Sequence, residues 1–253
     1  MAAFGTQRLN RSDAPVLCAK AYAKGFRIFD TALAYENHAI VGHALRLLAL
    51  PDIEIVSKIH AEAIANLGVK GAVQRILDEI ESDRIGTVLI HSPRNVDHAS
   101  VLNDLFEQKA HGIIGRIGVS NFTRRHLEKL AELCIVPDVL QNEIHPFLQE
   151  EALVQYCLRQ GIAVMGHTAY CGGRVFADES LRNAALQAER SVAELVLDWS
   201  AVRGVIPVIG TVDPLHIPSV RQANVAPHLV TLISNIKPAS RICSNPAWSD
   251  FDD

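Results

Sequence analysis

Hydrophobic and polar positions along the chain fall into two alternating regimes. Short runs rich in β-branched and aliphatic residues occupy positions 4–9, 27–31, 54–59, 87–91, 116–120, 139–144, 163–168 and 206–210. Between and after them, apolar residues recur at helical spacing over 13–24, 38–48, 69–82, 99–111, 124–133, 150–160, 179–203 and 214–222. Short apolar runs that alternate with helical periods predict parallel strands joined by crossover helices. Eight runs and eight helical stretches in strict alternation predict an α/β fold closed as a (β/α)8 TIM barrel, not an open sheet. Thr123 and Asp213 stand where helices should start, and Gly25, Gly112, Gly161 and Gly204 where they should stop. The 179–203 stretch is long enough for two helices broken near Ser191. Past Asn224 the alternation ends in a tail carrying Pro227, Pro238 and Pro246, with room for one short helix. The expected organisation is one domain over 1–253, with 224–253 as a tail near the mouth of the barrel.

Composition narrows the function classes. A chain of 253 residues that is 49% hydrophobic and 21% charged can bury one substantial core. The formal charge of −4 and the lack of basic runs give no footprint for nucleic acid or an anionic membrane. The five cysteines are odd in number and scattered, which fits reduced thiols in the cytoplasm better than a disulfide framework or a zinc site. No secretory leader pattern and no apolar stretch of membrane-spanning length stands out. A small-molecule partner, a monomer and a cytoplasmic location are the expectations.

Candidate chemistry sits at the carboxyl ends of the predicted strands, where barrel enzymes place their working residues. Asp30, Lys58 and His91 each end a different run, and Tyr35 follows a few residues into the loop after the second. Each has a commonplace alternative: Asp30 as a turn cap, Tyr35 as packing, Lys58 as a solvated strand end, and His91 as a histidine bonded to backbone. Together they compose an acid site. A phenol that gives up a proton near neutrality needs a cation beside it, so Lys58 is expected to lower Tyr35 toward working pH. Asp30 would keep the lysine charged, and His91 would orient a carbonyl oxygen.

These residues resemble the aldo-keto reductase family, and the likeness runs over nearly the whole chain. The segment Gly25-Phe26-Arg27-Ile28-Phe29-Asp30-Thr31-Ala32-Leu33-Ala34-Tyr35 is similar to the family signature around its tyrosine. Ile55-Val56-Ser57-Lys58 resembles the lysine strand, and Leu89-Ile90-His91-Ser92-Pro93 the histidine strand. Gly115-Arg116-Ile117-Gly118-Val119-Ser120-Asn121-Phe122 and Gln141-Asn142-Glu143-Ile144-His145-Pro146 resemble two further hallmarks. Within the family, the carboxyl end is most similar to bacterial reductases of the 2,5-diketo-D-gluconate type.

The resemblance implies transfer of hydride from a nicotinamide to an aldehyde or ketone, with Tyr35 as general acid beside Asp30, Lys58 and His91. It also implies that Thr6, Ser120, Asn121, Gln141, His167, Gly210, Thr211 and His216 hold the cofactor, with His167 stacked on the nicotinamide and Tyr170 as a second register for that ring. NADP(H) is expected ahead of NAD(H), although Gly210 and His216 stand where the family carries a lysine and an arginine for the 2′-phosphate. Arg221 is a candidate substitute cation. Gln7 and Ser92 replace tryptophans common in the family, which implies small polar carbonyls such as keto sugar acids or methylglyoxal. Trp248 is a candidate pocket wall. The rival function is a non-catalytic nicotinamide-binding barrel serving as a sensor or structural protein. No metal is expected, although His91, His145 and His167 all fall at strand ends.

Overall fold

The computed structural model describes residues 1–238 and 241–243, and Trp248 lies outside them. Eight strands close into a barrel in sequence order. They are β1 Ala3–Gly5, β2 Ile28–Asp30, β3 Glu54–Ile59, β4 Ile85–Ile90, β5 Ile114–Ser120, β6 Val139–Glu143, β7 Ala163–His167 and β8 Val205–Ile209. All neighbouring pairs are parallel, and β1 closes the ring on β8 through Ala3 opposite Val208. The outer layer holds α1 Ala14–Ala23, α2 His38–Leu48, α3 Ala61–Ile80, α4 His98–Ala110, α5 Arg124–Glu132, α6 Glu151–Arg159, α7 Glu179–Gln187 and α8 Val192–Val202, and α9 Pro227–Ser234 follows the last strand. None of the described helices is long and apolar enough to cross a membrane.

Local chemistry explains most of the boundaries. Thr123 and Ser191 close capping boxes on α5 and α8, with His126 and Glu194 reaching back to the cap amides, while Asp97 and Asp178 cap α4 and α7. Gly25, Gly112, Gly161 and Gly204 take positive φ just past helix ends. Ser191 divides the 179–203 stretch as its length predicts, and the tail holds one short helix, α9.

Three elements differ from the sequence expectation. The first strand stops at Gly5 and does not run to residue 9, because Leu9 N–H turns back to the Thr6 carbonyl at 2.9 Å. The third helix starts at Ala61, well before 69, and includes a break at Gly68 (φ 68°, ψ 171°). Residues 214–222 form only a single turn, Pro214–His216. Pro218, whose ring disfavours the helical region for the residue before it, stops that turn from growing.

Packing divides into three bodies. One apolar cluster sits between the strands and α3 to α6, and a second between the strands and α1, α2, α7, α8 and α9. The third fills the barrel itself with Ala3, Ile28, Val56, Leu89, Val139, Met165 and Val208.

Candidate active site

Side chains alternate along a strand, so the residue two positions beyond an interior residue faces the same way, one layer nearer the carboxyl end. Counting two on from Ile28, Val56, Leu89, Val139, Met165 and Val208 gives Asp30, Lys58, His91, Gln141, His167 and Gly210. All six line one cleft of about 1120 Å³ at the barrel mouth. The apolar plug is thus capped by a layer of polar side chains, with bare backbone at Gly210, and Tyr35 joins this layer from the loop after β2.

Lys58 is the hub of this layer. Its side chain is 2% exposed, and its Nζ donates to Asp30 Oδ1 at 2.6 Å and to the Thr31 carbonyl at 3.0 Å. The Tyr35 ring lies beside it, with the ammonium 5.3 Å from the centre of the phenol ring. Burial works to strip the ammonium of its proton, but Asp30 and Tyr35 outweigh it and hold the Lys58 pKa above its ordinary value. The second Asp30 oxygen accepts from Gln141 Nε2 at 2.7 Å, so the carboxylate is satisfied on both sides.

Tyr35 departs from expectation. Burial pushes its phenol above the ordinary 10.0; Lys58 opposes this, while the Asp30 carboxylate reinforces it. The net direction is upward, so the hydroxyl keeps its proton at neutral pH. The expected lowering fails because desolvation disfavours the phenolate and Asp30 offsets part of the ammonium's field. His91 meets the Tyr35 ring edge-on, with centroids 6.1 Å apart. Burial, aided by Lys58, His60 and His167, holds His91 well below 6.5, so it is a neutral imidazole at physiological pH.

A second polar group lies beside the tetrad. Asn121, at φ 62°, donates through Nδ2 to the His91 carbonyl at 3.0 Å and to Ser120 Oγ at 3.2 Å, while its Oδ1 faces His167 Nε2 at 3.1 Å. The other His167 nitrogen meets Thr168 Oγ1 at 3.0 Å, and burial drops the imidazole to about 4. This fixes the His167 ring as a neutral wall of the cleft. Ser120, Asn121, Gln141 and His167 therefore come together as expected, and the cleft runs on from them to Gly210, Thr211 and His216.

Thr6 does not reach this cleft. It is fully buried, and its hydroxyl donates to the Asp30 carbonyl at 2.9 Å, tying the end of β1 to β2. Gln7 is on the cleft wall, whereas neither Ser92 nor Arg221 lines it. Lys24 and Arg8 do line it, and sequence reasoning passed over both, since nothing local marks a lone cation as a cleft residue. Glu143 was missed as well. It lies beyond Gln141 on the same strand face, buried, and accepts from His145 Nε2 at 3.0 Å and from the backbone of Ile242 and Cys243, each at 2.7 Å.

A nicotinamide dinucleotide is a fair test of such a cleft. The cleft encloses about 1120 Å³, and its lining combines amide and hydroxyl groups able to pair with a carboxamide with the backbone around Gly210 and Thr211. Gly210 packs so tightly that a Cβ there would lie 2.9 Å from the Gly5 carbonyl oxygen, which leaves this wall as bare backbone. The residues fit the group.

Comparisons with known proteins show the family. The profile of the aldo/keto reductase family matches residues 1–230. Methylglyoxal reductase DkgA of Yersinia pestis is 30% identical over 221 residues, 85% of this chain and 79% of its own length. Glyoxal reductase of Bacillus subtilis is 31% identical over 202 residues, 79% of this chain and 73% of its own. The crystal structure of an aldo-keto reductase from a Medee basin deep-sea metagenome library superposes with a TM-score of 0.90 at 23% identity, covering 99% of this chain and 95% of that one. The chain belongs to the aldo/keto reductase family.

Proposed function

As a member of the aldo/keto reductase family, this protein is, we propose, an NAD(P)H-dependent oxidoreductase that reduces small polar aldehydes and ketones to alcohols. Methylglyoxal and keto sugar acids are the substrate class, with NADP(H) ahead of NAD(H). The observation that carries this reading is the buried chain of contacts from Gln141 through Asp30 and Lys58 to the Tyr35 hydroxyl at the mouth of the cleft. Polar groups are held buried in such a chain only where each is satisfied, and here the last group is a phenol that lines the cleft.

A reduced nicotinamide, when bound, supplies the hydride. Ser120, Asn121 and Gln141 would orient its carboxamide, and His167 would stack on the ring. As the carbonyl carbon takes up hydride, the carbonyl oxygen gains negative charge. Tyr35 gives its proton to that oxygen, and the phenolate left behind is stabilised by Lys58 until water reprotonates it. A phenol that holds its proton firmly in the resting site suits this order, since the proton leaves only when the acceptor has become strongly basic. Neutral His91 directs a hydrogen bond at the same oxygen without competing as an acid. Gln7 and Arg8 on the wall favour a hydroxylated or acidic substrate over an apolar one.

The chain would act as one domain and a monomer in the cytoplasm, with Cys243 of the tail bordering the mouth. The test is loss of the near-ultraviolet absorbance of NADPH and of NADH in the presence of methylglyoxal and a keto sugar acid, with wild type beside Tyr35→Phe. Oxidation by wild type and not by the variant is expected. Cofactor binding without turnover on any carbonyl would overturn the enzyme reading in favour of a sensor.

A further inference from the structure

Glu143 takes no part in the chemistry above, yet it is among the most committed side chains in the protein. It lies at the end of β6, buried with its side chain 1% exposed. Both carboxylate oxygens are used: Oε1 accepts from His145 Nε2 at 3.0 Å and from Ile242 N–H at 2.7 Å, and Oε2 accepts from Cys243 N–H at 2.7 Å. Two consecutive backbone amides, about one hundred residues away in sequence, thus converge on one carboxylate. The next residue back, Arg241, pairs with Glu150 at the start of α6. The segment so held forms part of the cleft: Cys243 lines it with Tyr35, His167 and Thr168, and its thiol lies 3.4 Å from Thr168 Oγ1.

We infer that Glu143 is a positioning residue that latches residues 242–243 onto the barrel mouth, making Cys243 a fixed wall on the substrate side of the cleft. The inference rests on the reductase reading for its kinetic consequence, but the latch itself does not. A carboxylate that accepts two amide hydrogens makes charge-assisted bonds, stronger than those of a neutral amide side chain of the same shape. The Glu143→Gln change therefore loosens the segment with little change of volume. Arg241→Ala weakens the neighbouring clasp without touching β6.

Hydrogen exchange at the Ile242 and Cys243 amides, read by NMR on the full-length protein, tests this directly. Both should be protected in wild type and exchange about tenfold faster or more in Glu143→Gln, as one accepting oxygen becomes an NH2 group that cannot accept and the other loses its charge. Arg241→Ala should move them the same way by a smaller factor. The KM for methylglyoxal should rise severalfold, while NADPH affinity, measured by fluorescence titration, stays within about twofold. Unchanged protection at both amides in Glu143→Gln would overturn the latch. So would a fall in NADPH affinity that matches the rise in KM, because that marks general distortion. Should Glu143→Gln not fold, unchanged exchange in Arg241→Ala would overturn it. If wild type reduces no carbonyl while the amides respond as described, the latch stands and the reductase reading fails.

Discussion

Replacing Lys58 with methionine separates the two jobs assigned to its ammonium. The chain volume is nearly kept, so packing changes little, but Asp30 is left as a buried carboxylate with Gln141 Nε2 as its side-chain donor. Breaking a buried ion pair by removing one partner typically costs about 3–5 kcal/mol. For a chain of this length that corresponds to a drop in melting temperature on the order of 10 °C. The catalytic loss follows from geometry. The ammonium is 5.3 Å from the centre of the Tyr35 ring. At an effective dielectric constant of about 20, its attraction for a phenolate at that separation is roughly 3 kcal/mol. Removing it should slow turnover by about two orders of magnitude, with NADPH affinity within about threefold of wild type, since Lys58 faces Asp30 and Tyr35 and is not among the proposed cofactor ligands. The double variant Lys58→Met with Asp30→Asn removes the orphaned charge, so urea unfolding should recover most of the lost stability while turnover stays low. Turnover by Lys58→Met within tenfold of wild type would refute the dependence of the phenol on the ammonium. Failure of the double variant to regain stability would refute the assignment of the destabilisation to Asp30.

Tyr35→Phe should lower turnover by about 10²–10⁴-fold, the range for loss of a general acid, with NADPH affinity retained in a fluorescence titration; near-normal activity would remove Tyr35 from the mechanism. Gly118→Ala should destabilise the barrel by at least about 1–3 kcal/mol, because a Cβ there would lie 2.2 Å from the Val139 carbonyl oxygen and 2.6 Å from Leu89 Cδ2; an unchanged urea midpoint contradicts this. Acid should destabilise the protein in two steps. His91 and His167 are held below 6.5, so the unfolded chain takes up protons first and stability declines as pH falls below about 6.5. Although burial alone would raise it, Glu143 is held down to about 2 by His145 and the two tail amides. Its share of stability is therefore complete above about pH 4.5 and lost as pH falls from there toward 2; the displacement from 4.5 to about 2 corresponds to roughly 3 kcal/mol. In Glu143→Gln the second step should shrink by about that amount in a pH series of unfolding midpoints while the first remains; what is left of it belongs to carboxylates such as Glu194, which, against the upward push of burial, Ser191 also holds down.

The barrel was legible in the sequence because each of its layers repeats. Strand positions such as 87–90 and 205–209 are apolar both toward the helices and inside the lower barrel, so they read as nearly continuous hydrophobic runs with helical stretches between them. Where the pattern misled, a local geometric event overrode it. The turn from Leu9 back to Thr6 ends β1 early, although residues 6–9 carry no strong turn dipeptide. Residues 61–67, Ala-Glu-Ala-Ile-Ala-Asn-Leu, form the part of the third helix before the break at Gly68, and that break hides their continuity with the apolar period that begins at Val69. At 214–222 Leu215 and Ile217 supply apolar residues at plausible spacing, but Pro218 prevents their use in a helix.

The site was legible for a related reason, and its blind spots are equally physical. Period two along each strand means that once Ile28, Val56, Leu89, Val139 and Met165 are placed inside the barrel, Asp30, Lys58, His91, Gln141 and His167 must share the next layer, whatever their separation in sequence. That rule also applies one step further along β6, where it puts Glu143 above Gln141 on the same face. What it cannot supply is the partner. The amides of Ile242 and Cys243 are backbone groups, identical in every residue but proline, so no side-chain pattern marks them as the mates of a buried carboxylate. The balance of fields at Tyr35 is hidden in the same way. A lysine beside a tyrosine predicts a lowered phenol from charge alone, but the upward shift depends on how much water the fold excludes and on Asp30 sitting on the far side of the same ammonium. Signs of that kind follow from three-dimensional distance and burial, which is why the tetrad could be named from the strand ends while its resting protonation state could not.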